Sequence, residues 1–408
     1  MSTSLLYHAF GAKGYHYVNS RFEKGAVIFK IQQPIHSLRC SACGEKRVIR
    51  RGNQLRRFRA VPIGSKPVFL EFAVPRVWCL VCGFVRQVKI SFAFLRRRYT
   101  RGFERYALEL SRHTTIQDTA RHLGVSWDVI KDIQKRHLRR RFSKPKLKKI
   151  RQIAIDEISI GKGHKYLTVV LDLKSGAVVF VGNGKGADSL EPFWKRLRKA
   201  KAKTKVKIEA VAIDMSVAYV CAVQENIPEA AIVFDHFHII KLLNDKLTEL
   251  RRQLYHELTD KLEKQVLKGT RWLLLKKSTN LNTEKNEPDR LQQALQINQP
   301  LATAYYLKED LRQLWMQPSK KAAEAFLVDW VYRAGTTNIP ILMRFARTLA
   351  IYRTGILAWY DYRISTGPLE GTNNKIKTMK RQAYGFRDLE FFKLKIMALH
   401  EAKYALVG

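Results

Sequence analysis

The sequence has no long apolar run. No stretch approaches the roughly 18 apolar residues that a membrane-spanning helix needs, so we expect no membrane span. Residues 1–14 also lack the apolar core of a secretory signal, and we expect no such signal. These two absences together predict an intracellular protein.

Acidic residues are the second shortage. The chain has 35 Asp and Glu against 75 Lys and Arg, a formal net charge of +40, and the basic excess runs from end to end. Such a charge predicts a polyanionic partner, with nucleic acid first. The charge alone does not separate DNA from RNA, because ribosomal and other RNA-binding proteins are also basic.

Cysteine is scarce, yet four of the five cysteines form two matched pairs. Cys40-Ser-Ala-Cys43-Gly and Cys79-Leu-Val-Cys82-Gly each end in glycine, which suits a tight knuckle that aims two thiolates at one Zn²⁺. Four thiolates leave no open coordination position, so the predicted zinc is structural. The alternative is four unrelated buried cysteines. The fifth cysteine, Cys221, lies in an apolar stretch and is expected in a core.

The segment between the cysteine pairs has the pattern of a ribbon hairpin. Apolar residues alternate with others at Val68, Leu70, Phe72 and Val74. Arginines are frequent before this stretch, and they fit either contacts with phosphates or a solvated face. They are Arg47, Arg50, Arg51, Arg56, Arg57 and Arg59.

Residues 91–141 have the pattern of a helix-turn-helix. Thr115 can cap a helix over 116–123 that ends at Gly124, and Ser126 can cap the next helix, over 127–139. The second helix would be the DNA reader. Many helical hairpins share this pattern, so the prediction of a DNA-binding helix-turn-helix depends largely on the basic residues around it. The basic residues expected to contact DNA are Lys131, Lys135, Arg139 and Arg140, and the tract 139–149 reads as a basic linker.

Two apolar strands carry the acidic residues of interest. Ile153–Ile160 contains Asp156-Glu157, and Ile208–Ile213 runs into Asp214. Successive strand side chains face opposite ways, so only one of the acidic pair can face a site, and we choose Asp156. From residue 151 the predicted order is three strands, helix, strand, helix, strand. That is the order of a ribonuclease H-like fold, in which the first and fourth strands are neighbours.

A third carboxylate is predicted on a later helix. Pro368 suits a first helical turn, and Glu370, Asn374, Lys377 and Arg381 then share one face. A carboxylate followed by amide and basic groups suits metal binding beside a phosphate backbone. The alternative is an ordinary amphipathic surface helix.

Three residues between Asp214 and Glu370 have two interpretations. Asp235, His236 and His238 either support the site or begin a helix with local hydrogen bonds. The stretch 241–340 is predicted to be an all-helical insertion. Its tryptophans, Trp272, Trp315 and Trp330, are expected in the core more than on a surface that stacks on DNA bases.

The chain as a whole resembles the ISL-three family of bacterial insertion-sequence transposases, which have an Asp-Asp-Glu triad. The motifs in question are the two cysteine pairs, Ile155-Asp156-Glu157, Asp214-Met-Ser216, Asp235-His-Phe-His-Ile239 and Glu370-Gly-Thr-Asn-Asn-Lys-Ile-Lys377. The resemblance implies catalysis by Asp156, Asp214 and Glu370 with Mg²⁺ or Mn²⁺. It also implies double-stranded DNA as partner, a homodimer on two element ends, and a cytoplasmic, nucleoid-associated bacterial protein.

Two other functions stay open at this point. One is a DNA-binding regulator derived from an inactive transposase, against which the intact triad argues. The other is a different ribonuclease H-like nuclease, against which the zinc ribbon and helix-turn-helix argue, because those modules serve sequence-specific DNA recognition.

The length of 408 residues suggests two to four domains, and a hydrophobic fraction of 46% is enough to form their cores. With the predicted order of strands and helices, we expect an α/β protein of several domains. We expect a zinc ribbon at 1–90, a helix-turn-helix at 91–141 and a basic linker at 142–150. A ribonuclease H-like core is expected over 151–240 and 341–408, interrupted by the helical insertion at 241–340.

Overall fold

The computed structural model describes residues 4–203 and 206–399. The chain divides into two compact units, one formed by Met1–Lys144 with Thr378–Gly408 and the other by Pro145–Lys377. The fold is mixed α/β, with two five-stranded sheets and many helices. None of the helices in the described ranges is both long and apolar enough to cross a membrane.

The first unit begins with a sheet. Helix α1 (Leu5–Phe10) precedes strands β1 (His16–Glu23), β2 (Ala26–Gln32), β3 (Val48–Ile63), β4 (Lys66–Cys79) and β5 (Val85–Gln87). The order is β1-β2-β4-β3, with β5 paired to β4. The predicted hairpin is confirmed, because β3 and β4 are antiparallel neighbours. Its alternating apolar residues are buried, namely Val68, Leu70, Phe72 and Val74.

Three helices follow, α2 (Arg101–Leu110), α3 (Ile116–Leu123) and α4 (Trp127–Phe142). Thr115 caps α3 as predicted, since its Oγ1 accepts from the Asp118 N–H at 3.1 Å, and Gly124 ends the helix in the left-handed region at φ 60°. Ser126 precedes α4, but its side chain accepts no capping hydrogen bond, so that detail of the prediction is wrong. The tract 139–149 is partly helical, because α4 continues to Phe142.

The arginines of β3 do not form one solvated face. Arg59 is buried and donates to the Leu123 carbonyl at 2.7 Å, while Arg57 pairs with the buried carboxylate of Glu71 at 2.9 Å. Arg50 and Arg51 are exposed. The ribbon is therefore tied to α3 by one of the arginines that the sequence offered for phosphate contact.

The second unit contains the other sheet. Its strands are β6 (Gln152–Gly161), β7 (Lys165–Asp172), β8 (Val178–Asn183), β9 (Ala210–Ile213) and β10 (Ala231–Phe234), with helices α5 (Glu191–Lys203) and α6 (Val217–Asn226). The order is β10-β9-β6-β7-β8. β9 lies parallel to β6 and β10 parallel to β9, while β7 is antiparallel to both β6 and β8. The carboxyl ends of β6, β8, β9 and β10 therefore lie at one edge of the sheet.

The rest of this unit is helical. Its helices are α7 (His236–Glu257), α8 (Lys261–Gly269), α9 (Arg271–Leu275), α10 (Glu287–Ile297), α11 (Gln299–Leu311), α12 (Lys320–Gly335), α13 (Pro340–Ile351), α14 (Arg353–Leu357), α15 (Trp359–Tyr362) and most of α16 (Gly367–Gln382), whose last residues, from Thr378, belong to the first unit. Trp330 is buried and donates to the Leu307 carbonyl, and Trp315 packs against the core. Trp272 is 65% exposed, so its expected place in the core is wrong.

A last helix, α17 (Leu389–Met397), belongs to the first unit and packs on α4. Asp388 caps it by accepting from the Phe391 N–H at 2.9 Å. The same carboxylate accepts from Lys135 at 2.7 Å and lies 3.2 Å from Lys131. Glu390 pairs with Lys135 at 3.0 Å and with Arg139 at 2.5 Å. Acidic groups of α17 thus neutralise one face of α4.

These ion pairs affect the titration of Asp388. Burial raises the pKa of this carboxyl, but hydrogen bonds from Lys135, the Phe391 N–H and Lys131 outweigh burial and leave the pKa at about 2. A lowered folded-state pKa stabilises the fold above the unfolded value, near 4. The stabilisation is lost as the pH falls through about 2.

We predict that Asp388→Asn, which keeps an acceptor for the helix cap, lowers the free energy of unfolding by about 2 kcal/mol at pH 7. The difference from the wild type should shrink as the pH drops from about 4 towards 2. Parallel urea denaturation curves at pH 7 and pH 3 measure both effects. The control is Glu109→Gln, which removes an exposed pair with Arg112 and should cost about 0.5 kcal/mol or less. Equal losses in both variants, or a pH-independent difference, would contradict the prediction.

Candidate active site

The four paired cysteines meet at one point. Sγ of Cys40 lies 3.5 Å from Sγ of Cys82, and Sγ of Cys43 lies 3.6 Å from Sγ of Cys79. All four sulfurs lie within 4.8 Å of one another. Tetrahedral zinc with Zn–S bonds of about 2.3 Å places its sulfurs about 3.8 Å apart, whereas a disulfide needs about 2.05 Å. The geometry therefore fits a structural Zn²⁺ and excludes disulfides.

The two knuckles are built alike. The Gly44 N–H donates to the Cys40 carbonyl and the Gly83 N–H to the Cys79 carbonyl, both at 3.0 Å. Backbone N–H groups lower the pKa of Cys40 and of Cys79, whereas burial and the neighbouring thiols raise the pKa of Cys43 and of Cys82.

The fifth cysteine does not lie in the core, so the prediction for Cys221 is wrong. Helix α6 buries Tyr219, Ala222 and Val223, and Cys221 is exposed on another side of the helix. The apolar character of the whole stretch concealed which side faces the sheet.

Asp156 and Asp214 lie on neighbouring strands, as predicted. β6 pairs in parallel with β9 through Ala154 and Ala212, and each aspartate follows two residues later. Burial raises the pKa of Asp156, while the Glu157 N–H and His238 oppose the rise and Asp214 adds to it. The Ser216 N–H donates to Asp214 at 3.1 Å. Two carboxylates thus influence each other at the carboxyl edge of the sheet.

Helix α16 approaches these aspartates through a residue that the sequence did not single out. Nδ2 of Asn373 donates to Oδ2 of Asp156 at 2.8 Å. Asn373 is buried and lies one turn after Glu370, so the i, i+3 spacing was the available signal. The predicted face of α16 is exposed, at Glu370, Asn374, Lys377 and Arg381.

The three carboxylates do not form a compact group of metal ligands. In the described ranges, 4–203 and 206–399, the cysteine cluster is the group in which three or more His, Cys, Asp or Glu residues have ligand atoms within 4.8 Å of one another. Asp156, Asp214 and Glu370 form no such group there. Their oxygen donors nevertheless have the chemistry that Mg²⁺ and Mn²⁺ prefer.

Asp235 connects α7 with the start of α16. It is 2% exposed and caps α7 by accepting from the Phe237 N–H at 2.8 Å. Its other oxygen accepts from the N–H of Thr366 at 2.7 Å and from the Thr366 hydroxyl. The Thr366 carbonyl in turn accepts from the N–H groups of Leu369 and Glu370, each at 2.9 Å. Asp235 therefore fixes the first turn of the helix that carries Glu370.

The two histidines have different surroundings. The His236 ring lies 5.6 Å from the Trp315 ring and its Nδ1 lies 3.5 Å from Asp235. His238 is close enough to Asp156 to lower the pKa of that carboxyl. His238 thus has an electrostatic link to the site, and His236 belongs to the packing around Asp235.

The basic residues expected at DNA fall into two groups. Lys131, Lys135 and Arg139 are ion-paired to the acidic residues of α17. Arg140 is exposed at the end of α4, and Lys377 and Arg381 are exposed on α16. Of these six residues, only Arg140, Lys377 and Arg381 have an exposed charge that is not ion-paired to Asp388 or Glu390.

Comparison with known proteins gives three family matches along the chain. Residues 36–82 match the zinc-finger of transposases of the IS204, IS1001, IS1096 and IS1165 elements. Residues 89–138 match the helix-turn-helix domain of the ISL3 transposase family. Residues 153–396 match the ISL3 transposase domain of the Asp-Asp-Glu class. The order of the three matches is the order predicted from the sequence motifs.

Two curated relatives are similar over most of their length. The chain is 34% identical to the transposase for insertion sequence element IS1001 of Bordetella parapertussis, over 88% of both chains. It is 28% identical to the transposase for IS1557 of Mycobacterium tuberculosis, over 86% of this chain and 82% of that one. A solved Drosophila P element transposase strand transfer complex matches 64% of this chain and 79% of its own, with 13% identity. Its TM-score of 0.32 is too low to support a conclusion about the fold.

We predict that the purified protein carries one zinc per chain and that a strong chelator removes it and unfolds the ribbon, because metal binding and folding are coupled in such sites. Cys79→Ser should lose the zinc. Cys221→Ser is the control and should keep it, since Cys221 is outside the cluster. A colorimetric zinc assay after denaturation measures both. Zinc loss from the control, or zinc-free wild-type protein, would refute the assignment.

We predict that Asp235→Ala lowers the free energy of unfolding by about 2–4 kcal/mol, because it removes a helix cap and leaves buried donors of Thr366 unpaired. Asp260→Ala is the matched control. Asp260 also caps a helix, α8, through Leu262 and Glu263, but it is exposed, so the loss should be about 1 kcal/mol. Urea denaturation of both variants measures the difference. Equal losses would show that the Thr366 contacts contribute nothing.

Proposed function

Since the chain belongs to the ISL3 family of transposases, we propose that it binds the terminal inverted repeats of its insertion sequence and catalyses metal-dependent DNA strand cleavage and strand transfer. Asp156, Asp214 and Glu370 are the proposed catalytic carboxylates. The observation that carries this choice is the Asn373–Asp156 hydrogen bond, because it brings the helix of Glu370 against the strand of Asp156.

The sheet supports a ribonuclease H-like core. Its strand order, β10-β9-β6-β7-β8, corresponds to 5-4-1-2-3 counted along this unit. The first and fourth strands are neighbours, as that fold requires of the two aspartates. The Glu370 helix follows a long helical segment, which is consistent with an insertion between the second and third carboxylates.

Asp156, Asp214 and Glu370 would hold the divalent ions, Mg²⁺ or Mn²⁺. Such ions supply activation of the attacking water or DNA 3′-hydroxyl and stabilisation of the leaving oxygen. The protein's own contribution is to orient the carboxylates. Asn373 fixes one oxygen of Asp156, and the Asp235–Thr366 contacts fix the first turn of α16. Asn374 and His238 are proposed supporting residues beside this site, and His236 supports Asp235.

DNA contact is proposed for the basic residues of two helices. Lys377 and Arg381 lie on the exposed face of α16 beyond Glu370, where a phosphate backbone entering the site would pass. On α4, Arg140 is exposed, whereas Lys131, Lys135 and Arg139 must exchange Asp388 and Glu390 for phosphates before they bind DNA. A homodimer that holds two element ends is proposed as the working form.

We predict that the protein nicks a labelled duplex carrying its own element end in the presence of Mg²⁺ or Mn²⁺. Asp156→Asn should lower the cleavage rate at least about 100-fold while DNA binding persists, because it removes a charge that the metal ions need. Glu225→Gln, an exposed carboxylate of α6, is the matched control and should cleave normally. Gel analysis of the cleavage products and a mobility-shift assay give the two readouts.

The same experiment decides between the two functions. Specific binding without cleavage by the wild type under either metal would favour a DNA-binding regulator derived from an inactive transposase. Unchanged cleavage by Asp156→Asn would remove Asp156 from the triad.

A further inference from the structure

Glu157 follows the proposed catalytic Asp156, but it points to the other face of β6 and the proposed catalysis leaves it without a role. On that face, its Oε1 accepts from the Tyr219 hydroxyl at 2.7 Å and from the Gly186 N–H at 3.2 Å. Gly186 lies in the loop after β8, which we call the 184–186 loop (Gly184, Lys185 and Gly186). Glu157 therefore contacts a loop and not the other carboxylates.

The 184–186 loop is held by hydrogen bonds at the backbone N–H and carbonyl groups of its two glycines. The Gly184 N–H donates to the Tyr166 carbonyl at 2.9 Å, and the Gly184 carbonyl accepts from the Thr168 hydroxyl at 3.0 Å. The Gly186 carbonyl accepts from the Ser189 hydroxyl at 2.6 Å. Thr168 and Ser189 also bond to each other at 2.6 Å. These hydrogen bonds position both ends of the loop.

The backbone conformation of the 184–186 loop requires glycine. Gly184 and Gly186 both have φ 87°, a region that other residues rarely adopt. A Cβ on Gly182, at the end of β8, would lie 2.3 Å from the Ser189 carbonyl oxygen. The sequence Gly182-Asn-Gly-Lys-Gly186 thus specifies the shape of the loop.

The loop presents one charge. Lys185 is exposed, with its Nζ 5.4 Å from the centre of the Tyr166 ring. The neighbouring turn between β6 and β7 adds two more exposed lysines, Lys162 and Lys165. In the described part of the chain, no ion pair involves these three lysines, in contrast to Lys131 and Lys135. These three lysines form a cationic surface.

This surface lies at the same edge of the sheet as the proposed site, on the face of Glu157 and therefore on the face opposite to Asp156. Val181 pairs with Val169 and Val169 with Asp156, so Gly184 lies three residues beyond the level of Asp156, about 10 Å along the strand direction. β8 is two strands from β6, a separation of about 10 Å across the sheet. The two offsets together give about 14 Å, which corresponds to about four base pairs along DNA.

We propose that the 184–186 loop, with Lys162 and Lys165, binds the DNA phosphate backbone about four to five base pairs from the scissile phosphate. Glu157 is the positioning residue that holds the loop and is not a metal ligand. The inference rests on the proposed function for the identity of the DNA, and it adds a second contact region and a role for Glu157.

The first test measures binding of the full-length protein to the element-end duplex without divalent metal, over a range of salt concentrations. Lys185→Ala should weaken binding and reduce the slope of log affinity against log salt by about 0.9, the value for one lost phosphate contact. Lys174→Ala is the matched control, because Lys174 is an exposed lysine in the turn at the opposite edge of the same sheet. An unchanged slope in Lys185→Ala, equal to that of the control, would overturn the inference.

The second test separates positioning from metal binding. Glu157→Gln keeps an oxygen that accepts from Gly186 and Tyr219, so binding and cleavage should stay within about twofold of wild type. Glu157→Ala should reproduce the binding defect of Lys185→Ala, and the double variant should be no worse than the single ones. If Glu157 is a metal ligand, Glu157→Gln loses cleavage with an unchanged salt slope, and the inference fails.

These outcomes do not depend on the outcome for Asp156. The salt slope is measured on binding alone, so it decides the loop's role even if no variant cleaves DNA. Conversely, a failed slope test leaves a cleavage defect of Asp156→Asn intact.

Discussion

The hydrogen bond from Asn373 to Asp156 is the contact on which the proposed site depends. It joins residues 217 positions apart and holds α16 against the sheet at the level of the two aspartates. A half-buried carboxylate is costly without a partner, and this amide supplies one without adding a competing charge. The buried Asp235–Thr366 contacts fix the start of the same helix. Glu370 thereby has a defined position on an exposed face, from which it can approach the aspartates.

Strand β6 serves two purposes because its side chains alternate between faces. Asp156 faces α16, and Glu157 faces the 184–186 loop, so one strand positions the proposed catalytic carboxylate and anchors the loop that we propose to contact DNA. The loop and the aspartates share an edge because β6, β8, β9 and β10 run in the same direction.

The few acidic residues of this basic chain are placed selectively. Glu71 neutralises Arg57 and Arg21 within the ribbon, and Asp388 and Glu390 neutralise the basic face of α4. Lys185 and the basic residues on the exposed face of α16 lack such partners in the described part of the chain. A net charge of +40 therefore does not predict which basic residues are available to DNA. The arrangement of 35 acidic residues decides that.

The sequence alone determined the features that depend on short-range spacing. Local patterns predict the cysteine knuckles, the bounds of α3, the hairpin between the cysteine pairs, the strand that contains Asp156 and the strand that precedes Asp214. Tertiary packing decided the rest: that Asn373 contacts Asp156, that Cys221 and Trp272 are exposed, and that Lys135 pairs with Asp388, 253 residues away. Periodicity identifies an apolar side of a helix but not the element that covers it. Partners distant in the chain are fixed only when the helices and sheets pack.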